Sequence, residues 1–526
     1  MKILIAEPMA PAAIEMLRSE AGWEVIVSDP TSFAQHLADC EALFVRSAVK
    51  VTKDILRQAP KLRVIGRAGV GVDNVDLDAA TAAGVLVMNT PGGNAVSVAE
   101  HTLALMLALA RRIPQASAST TAARWEKKKF LGTELRGKLL GVIGLGSIGR
   151  EVVKRARAFE MRILASDPYV SSQAAADMGV ELASLDRLYA ESDYISLHVA
   201  LTPETRRMLN REAFAKMKHG VRIINCARGE LVDEAALVDA MHSGKVAGAG
   251  LDVFDPEPPR ADNPLLQMPN LVATPHIGGS TEEAQEIVGF RIVEQVVEYL
   301  KNGLAIHAVN LPAVSPEQYK TLGPYADLAE RLGALAAYIS ESNPKAVRFA
   351  YSGRLAELNT ALLRNSGLAG LLKRSTEQRA NRVNAMQIVS QRGWSVAESH
   401  DPRSGHTDSI RVELETDLGL TTVEGSLVLG RPRLTQVNGI YCEAALDGRL
   451  IFMMNLDVPG VIGHVGTVLG RHQINIANFS LGRREPPQSL PNEAVALVQV
   501  DSAVSEAVLA ELRENPAVKY ARVVEL

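Results

Sequence analysis

The sequence predicts an α/β chain built on two doubly wound parallel sheets, followed by an α+β region and a small βαββαβ unit. Three observations predict it. Short apolar runs alternate with amphipathic stretches through two successive series. A glycine loop opens the second series. From Leu450 onward the chain reads strand, helix, strand, strand, helix, strand. A length of 526 residues fits three or four domains at roughly 100–200 residues each. With 47% apolar, 22% charged and only 4% aromatic residues, the composition is that of a chain that buries real cores.

In the first series, Ile3–Ala6, Val25–Ser28, Ala42–Val45, Val64–Gly66 and Val85–Met88 are near-continuous apolar runs, as strands covered on both faces must be. Pro11–Ser19 and Lys53–Gln58 read as the helices between them. A long helical pattern spans Ala95–Arg112, and a basic stretch, Trp125–Lys129, follows. The second series places strands at Leu139–Ile143, Arg162–Ser166, Tyr194–Leu197, Arg222–Asn225, Gly248–Asp252 and Leu271–Ala273, the six of a complete dinucleotide fold. The helical pattern Thr281–Leu300 is expected to carry the chain back to the first sheet. The first domain is then discontinuous, 1–97 plus 287–313, around a second at 98–286. Asn310–Pro316 reads as a linker. Beyond it, 317–448 mixes a helix, Tyr325–Ile339, with strand-like runs at Val347–Tyr351, Ser409–Glu415 and Thr422–Leu429. The last domain, 450–526, has strands at Leu450–Leu456, Ile474–Gly482, Ala494–Val500 and Val518–Val524 and helices at Val461–Arg471 and Ser505–Glu514, a ferredoxin-like order.

Composition also excludes function classes. A net charge of −4 gives no bulk attraction to nucleic acid or to an anionic membrane, so an anionic ligand needs a local basic pocket. Cys40, Cys226 and Cys442 are far apart and form no CxxC pair, which argues against a disulfide framework and against a metal site. The N-terminus reads as a buried strand rather than a signal peptide, and no apolar run approaches the roughly 18 residues of a membrane span. A cytoplasmic location is the expectation.

The glycine loop is Gly141-Val-Ile-Gly144-Leu-Gly146-Ser-Ile-Gly149. It follows one predicted strand and opens one predicted helix. Gly144 permits the tight turn, Gly146 lets backbone approach a pyrophosphate, and Gly149 permits close packing of helix on strand. The free N–H groups at the helix start then face the phosphates. Asp167 ends the next strand at the spacing of a carboxylate that accepts from ribose hydroxyls, and no arginine follows directly to neutralise a 2′-phosphate. That favours NAD over NADP and makes the second domain, and by its rhythm the first, Rossmann-like.

Three more segments lie just after predicted strands: Asn225–Glu230, Asp252–Pro258 and Thr274–Gly279. In an open parallel sheet the carboxyl ends line one crevice, so all three project toward the glycine loop. Oxidising an alcohol by hydride loss also requires removal of the hydroxyl proton. His276 is suited to that as base, and as acid in reverse. Glu257 can orient its ring and raise its pKa. Arg228 can hold a carboxylate through two parallel bonds. The combination points to a small 2-hydroxy acid as substrate.

These segments resemble the D-isomer-specific 2-hydroxyacid dehydrogenases over roughly residues 1–311. Val45–Ala48, Gly66–Asp76, Asn89–Asn94 and Trp125–Phe130, together with the extended C-terminus, make the likeness strongest to the long-form branch of that family, which acts on 3-phospho-D-glycerate. The resemblance implies oxidation of that compound to 3-phosphohydroxypyruvate with NAD, the first step of phosphorylated L-serine synthesis, with Arg228, Glu257 and His276 as the catalytic set. It implies cofactor contacts at Gly144, Gly146, Ser147, Ile148, Gly149, Asp167, Thr202, Cys226, Ala227, Arg228, Asp252, His276, Ile277, Gly278 and Gly279. It implies substrate contacts at Arg46, Ser47, Arg67, Gly69, Val70, Gly71, Asn94 and Lys127; at Val70 only backbone contacts serve, since valine donates no side-chain bond. The C-terminal unit looks like an ACT domain, in which Asn455, Asp457, Gly460 and Asn475 would hold an amino acid, L-serine, at a paired interface. A homo-oligomer, dimer or tetramer, follows from the same likeness. Residues 317–448 resemble the intervening domain of the long form, where Arg374, Arg379, Arg382 and Asn384 are candidates for an anion. Two other readings stay open: a reductase of hydroxypyruvate, glyoxylate or 2-oxoglutarate, and a non-catalytic NAD-binding sensor.

Overall fold

The computed structural model describes residues 1–340, 342–373, 379–402, 408–485 and 492–526. Its N-terminal sheet has five parallel strands, β1 (Lys2–Ile5), β2 (Glu24–Val27), β3 (Ala42–Val45), β4 (Val64–Arg67) and β5 (Leu86–Met88), in the order β2-β1-β3-β4-β5. The second sheet has seven: β6 (Leu139–Ile143), β7 (Arg162–Ser166), β8 (Glu181–Leu182), β9 (Tyr194–Leu197), β10 (Val221–Asn225), β11 (Val246–Leu251) and β12 (Leu271–Ala273). Their order is β12-β11-β10-β9-β6-β7-β8, and all pairings are parallel. Both are doubly wound orders. β3 buries all four of its residues and β6 all five, which is why these strands read as runs rather than alternations.

The helix Glu282–Asn302 starts beside the second sheet, where Thr281 caps it and also bonds Ser97 at 2.8 Å. Farther along it buries Ile292, Val293 and Val296 against Ile3, Phe44 and Val64 of the first sheet. Each such buried aliphatic side chain stabilises the contact by about 1.5–3 kcal/mol. The chain then runs along β5, with Val309 N–H donating to Val87 O at 2.7 Å.

The C-terminal sheet is antiparallel: Ile476–Arg483, Glu493–Val500, Arg449–Leu456 and Val518–Glu525, in that spatial order. The helices Val461–Arg471 and Glu506–Arg513 pack on it through Val465, Leu469, Val508 and Leu512.

Three expectations needed correction. The second sheet has a seventh strand, β8, which at two residues is too short to leave a pattern. Asn310–Pro316 is no free linker: the Asn310 side chain accepts from Val87 N–H and donates to Thr81 and Val85 O, and Pro316 already opens a helix to Ile339 behind a Ser315–Gln318 capping box. The middle domain is richer than expected. Its mixed six-stranded sheet adds Ser395–Asp401, Arg431–Val437 and Ile440–Ala445. It also contains the helix Ala361–Leu372, buried on nearly every side, so no polar face marks it in the sequence. Among the described residues no helix is long and apolar enough to cross a membrane.

Candidate active site

The crevice lies at the carboxyl ends of β6, β7, β9, β10, β11 and β12. β6 and β9 are neighbours there, although β7 follows β6 in the chain. This is the switch point at which such sheets bind ligands. The helix Ser147–Ala158 starts at Gly146 with no side-chain cap, and a side chain added at Gly146 would meet open space. At Gly149, by contrast, an added Cβ would lie 2.1 Å from Gly144 O. A bare helix N-terminus facing an open cleft fits a pyrophosphate. Asp167 sits just past β7, with Oδ2 accepting from Leu145 N–H at 2.7 Å and Oδ1 from Tyr169 N–H at 2.8 Å. The carboxylate thereby ties the glycine loop to the next strand and keeps acceptor capacity for hydroxyls. Thr202 lies beyond β9, its hydroxyl accepting from Thr205 N–H at 3.3 Å. The Cys226 thiol is pushed up to about 12 by burial, so it lies at the site as an inert thiol rather than a nucleophile.

His276 and Glu257 form a directly bonded pair. His276 Nδ1 is 2.8 Å from Glu257 Oε2, while Glu257 Oε1 accepts from Phe254 N–H at 3.1 Å. An ionised carboxylate only accepts, so Nδ1 carries the proton and Nε2 presents a lone pair. The Glu257 bond raises the His276 pKa above its ordinary value. Burial opposes ionisation of Glu257, and the imidazole still holds its pKa below the usual range. The His276 backbone sits at φ 53°, a conformation held by its N–H donating to Asp252 O at 2.8 Å.

Asp252 is buried, and it organises the turn after β12. It accepts from Thr274 Oγ1 at 2.6 Å, Ile277 N–H at 2.9 Å and Gly278 N–H at 2.8 Å. His101 Nε2 stands 3.3 Å away. Burial by itself would raise this carboxyl's pKa, but these donors hold it low.

The pair lines a cleft of about 680 Å³ together with Arg46, Ser47, Arg67, Gly69 and Asn94. Three carboxylate and amide anchors fix its loops. Glu7, buried, accepts from the backbone N–H groups of Arg46, Ala48 and Val49 at 2.8, 3.1 and 2.9 Å. Asn74 donates to Arg46 O and Val49 O, and Asn89 donates to Val70 O at 2.6 Å. Arg67 has a buried Nε with no partner among the described residues, and burial beside Arg228 and Arg46 pushes its pKa down. A guanidinium so placed favours an incoming anion. Arg228 follows β10, where Asn225 donates to its carbonyl at 2.8 Å. Its guanidinium turns to Asp73, with Nε and Nη2 at 3.0 and 2.8 Å from Oδ2.

The structure does not bring Lys127 here. It lies in a separate groove with Trp125 and Phe130, under the helix Ile113–Thr121. Asn455, Asp457 and Gly460 share a pocket of about 340 Å³ with Phe479 and Arg483, and Arg483 pairs with Asp457 at 3.1 Å. Asn475 stands outside it, donating to Asp501 at 2.6 Å. Arg382 pairs with Glu330 at 3.3 Å, and Asn384 donates to Arg379 O at 2.9 Å; Arg374 lies outside the described residues. Sequence reasoning missed Glu7, Asp73 and His101. Only His101 left a mark, as an imidazole inside an apolar helix.

An imidazole–carboxylate pair and two arginines lining one cleft, in a chain that carries a dinucleotide-type glycine loop, are the groups expected of an NAD-dependent dehydrogenase of 2-hydroxy acids. The comparisons agree. Residues 103–278 match the D-isomer specific 2-hydroxyacid dehydrogenase NAD binding domain, residues 321–438 the D-3-phosphoglycerate dehydrogenase intervening domain, and residues 449–517 the ACT domain. D-3-phosphoglycerate dehydrogenase of Methanocaldococcus jannaschii is 42% identical over the whole of both chains. That of Bacillus subtilis is 37% identical over all of this chain and 99% of its own. D-lactate dehydrogenase from Aquifex aeolicus, solved with NAD and lactic acid, superposes on 60% of this chain and all of its own, at TM-score 0.53 and 32% identity. The chain belongs to the D-3-phosphoglycerate dehydrogenase family.

Proposed function

We propose that the cleft between the two parallel sheets oxidises 3-phospho-D-glycerate to 3-phosphohydroxypyruvate, opening the phosphorylated route to L-serine. The observation that carries this is the His276–Glu257 pair at 2.8 Å lining one cleft with Arg46 and Arg67. His276 Nε2 takes the proton of the substrate hydroxyl, and Glu257 stabilises the imidazolium that results. Arg228 holds the substrate carboxylate and polarises the adjacent carbon–oxygen bond. Arg46 and Arg67 hold the phosphate, a dianion that a plain 2-hydroxy acid lacks. NAD, when bound, supplies the hydride acceptor. The glycine loop and Asp167 hold its pyrophosphate and ribose, and the turn fixed by Asp252 borders its nicotinamide end.

In the same reading the division into 1–97 plus 287–313, 98–286, 317–448 and 450–526 stands as four domains. The ACT pocket takes L-serine as feedback effector in a homo-oligomer. A second copy would complete that pocket with Asn475. Three free, buried cysteines suit a reducing compartment.

The test is NADH formation with 3-phosphoglycerate against glycerate and lactate. A strong preference for the phosphorylated acid is expected, and R46A and R67A should each raise its KM by about 10–100-fold, the loss of one charge-assisted bond. A rate no better than with glycerate, or variants with unchanged KM, would sink the phosphate assignment.

A further inference from the structure

We infer that Asp73 is a built-in stand-in for the substrate carboxylate, a positioning residue that holds Arg228 across the cleft until substrate displaces it. The inference rests on the reading of Arg228 as the carboxylate holder.

The two residues come from different sheets. Asp73 lies in the loop after β4, and Arg228 lies after β10, 155 positions away. Asp73 Oδ2 takes both Nε–H and Nη2–H of Arg228, at 3.0 and 2.8 Å. That is the edge of the guanidinium with which an arginine grips a carboxylate side-on. The remaining terminal nitrogen, Nη1, donates to Ala227 O at 2.6 Å. The bonds that position Arg228 and those that would bind a substrate carboxylate therefore compete for one edge. Gly71 leaves room for the arrangement: an added Cβ would lie 2.1 Å from Arg228 Nη2 and 2.9 Å from Asp73 Oδ2.

The energetics suit a placeholder rather than a fixed strut. The Asp73 side chain is 65% exposed and that of Arg228 29%. A pair this wet is weak and exchangeable. Arg228 and Arg46 both bear electrostatically on Arg67, and without Asp73 three guanidinium groups so near one another would take any small anion. Asp73 is the negative charge that lowers this appetite. An anion with one carboxylate must displace Asp73 using a single contact. A substrate with both a carboxylate and a phosphate draws on Arg46 and Arg67 as well, so the pair also sharpens selectivity for the doubly anionic ligand.

D73N keeps the size of the side chain and removes its charge. In the full-length protein with NAD and 3-phosphoglycerate, KM should fall by about two- to fivefold, the range of an exposed ion pair, while kcat changes less. Competitive inhibition by acetate and by inorganic phosphate should strengthen by at least as much. D73E, which restores the charge, should return both toward the parent values. Adding D73N to R228Q should have no further effect on KM, because Asp73 acts only through Arg228. Unchanged KM and unchanged anion inhibition in a folded D73N protein, with R228Q still crippling turnover, would overturn the placeholder alone. Undiminished turnover in R228Q would instead overturn the reading on which it rests. If D73N proves unstable, the acetate and phosphate inhibition constants of D73S, which also removes the charge, decide in the same way, with D73E as the charged control.

Discussion

The catalytic cleft and the ACT pocket use similar residues, carboxylates, amides and arginines, but they are finished to different degrees within one chain. In the cleft nearly every functional group is held by a second one: His276 by Glu257, the 274–278 turn by Asp252, the 46–49 loop by Glu7. In the ACT pocket, Asp457 is answered by an arginine of its own domain, Asn455 Oδ1 is buried without a partner among the described residues, and Asn475 bonds Asp501 instead. Catalysis needs groups fixed before the substrate arrives, because orientation and preset dipoles supply much of the rate. A regulatory pocket needs two states, and groups left without fixed partners leave room for a second one.

The largest expected effect tests the finished side of this contrast. H276A should slow turnover by about 10²–10⁴-fold and leave NAD affinity, measured by fluorescence titration, close to the parent. Unchanged turnover would remove His276 from the reaction. Next comes the Glu257 contact. Because that contact raises the His276 pKa, and oxidation needs the neutral imidazole, oxidation increases as pH rises through the raised value. E257Q should move this acid limb of the kcat/KM profile to lower pH and reduce kcat, though by less than H276A. An unmoved limb would mean that another group titrates.

The smallest effect tests the unfinished side. D457A should abolish inhibition by added L-serine and calorimetric binding of it, with kcat in serine-free buffer unchanged. If serine binding survives, the pocket around Asn455 and Asp457 is not the effector site and the contrast loses half its meaning.

Legibility followed the same divide. That the glycine loop, Asp167, Arg228, Glu257 and His276 would lie at strand ends could be read in advance because each follows an apolar run. Parallel sheets gather strand ends whatever the loops between them contain. The helix Ala361–Leu372 could not, since burial on all sides erases periodicity. Nor could the place of Lys127: a basic tripeptide after a long helix does not say which groove it will line.

By itself the sequence determined the element types of the two parallel sheets and the C-terminal unit, apart from the two-residue β8, and the cofactor and the chemical groups on offer at the strand ends, since these depend on patterns between near neighbours. Tertiary structure alone decided that Glu7 would anchor the Arg46 loop, that Asp73 would face Arg228, and that Asn475 would turn from Asp457. Those pairings join residues from separate elements, and only the packing of one sheet or helix against another sets their distance.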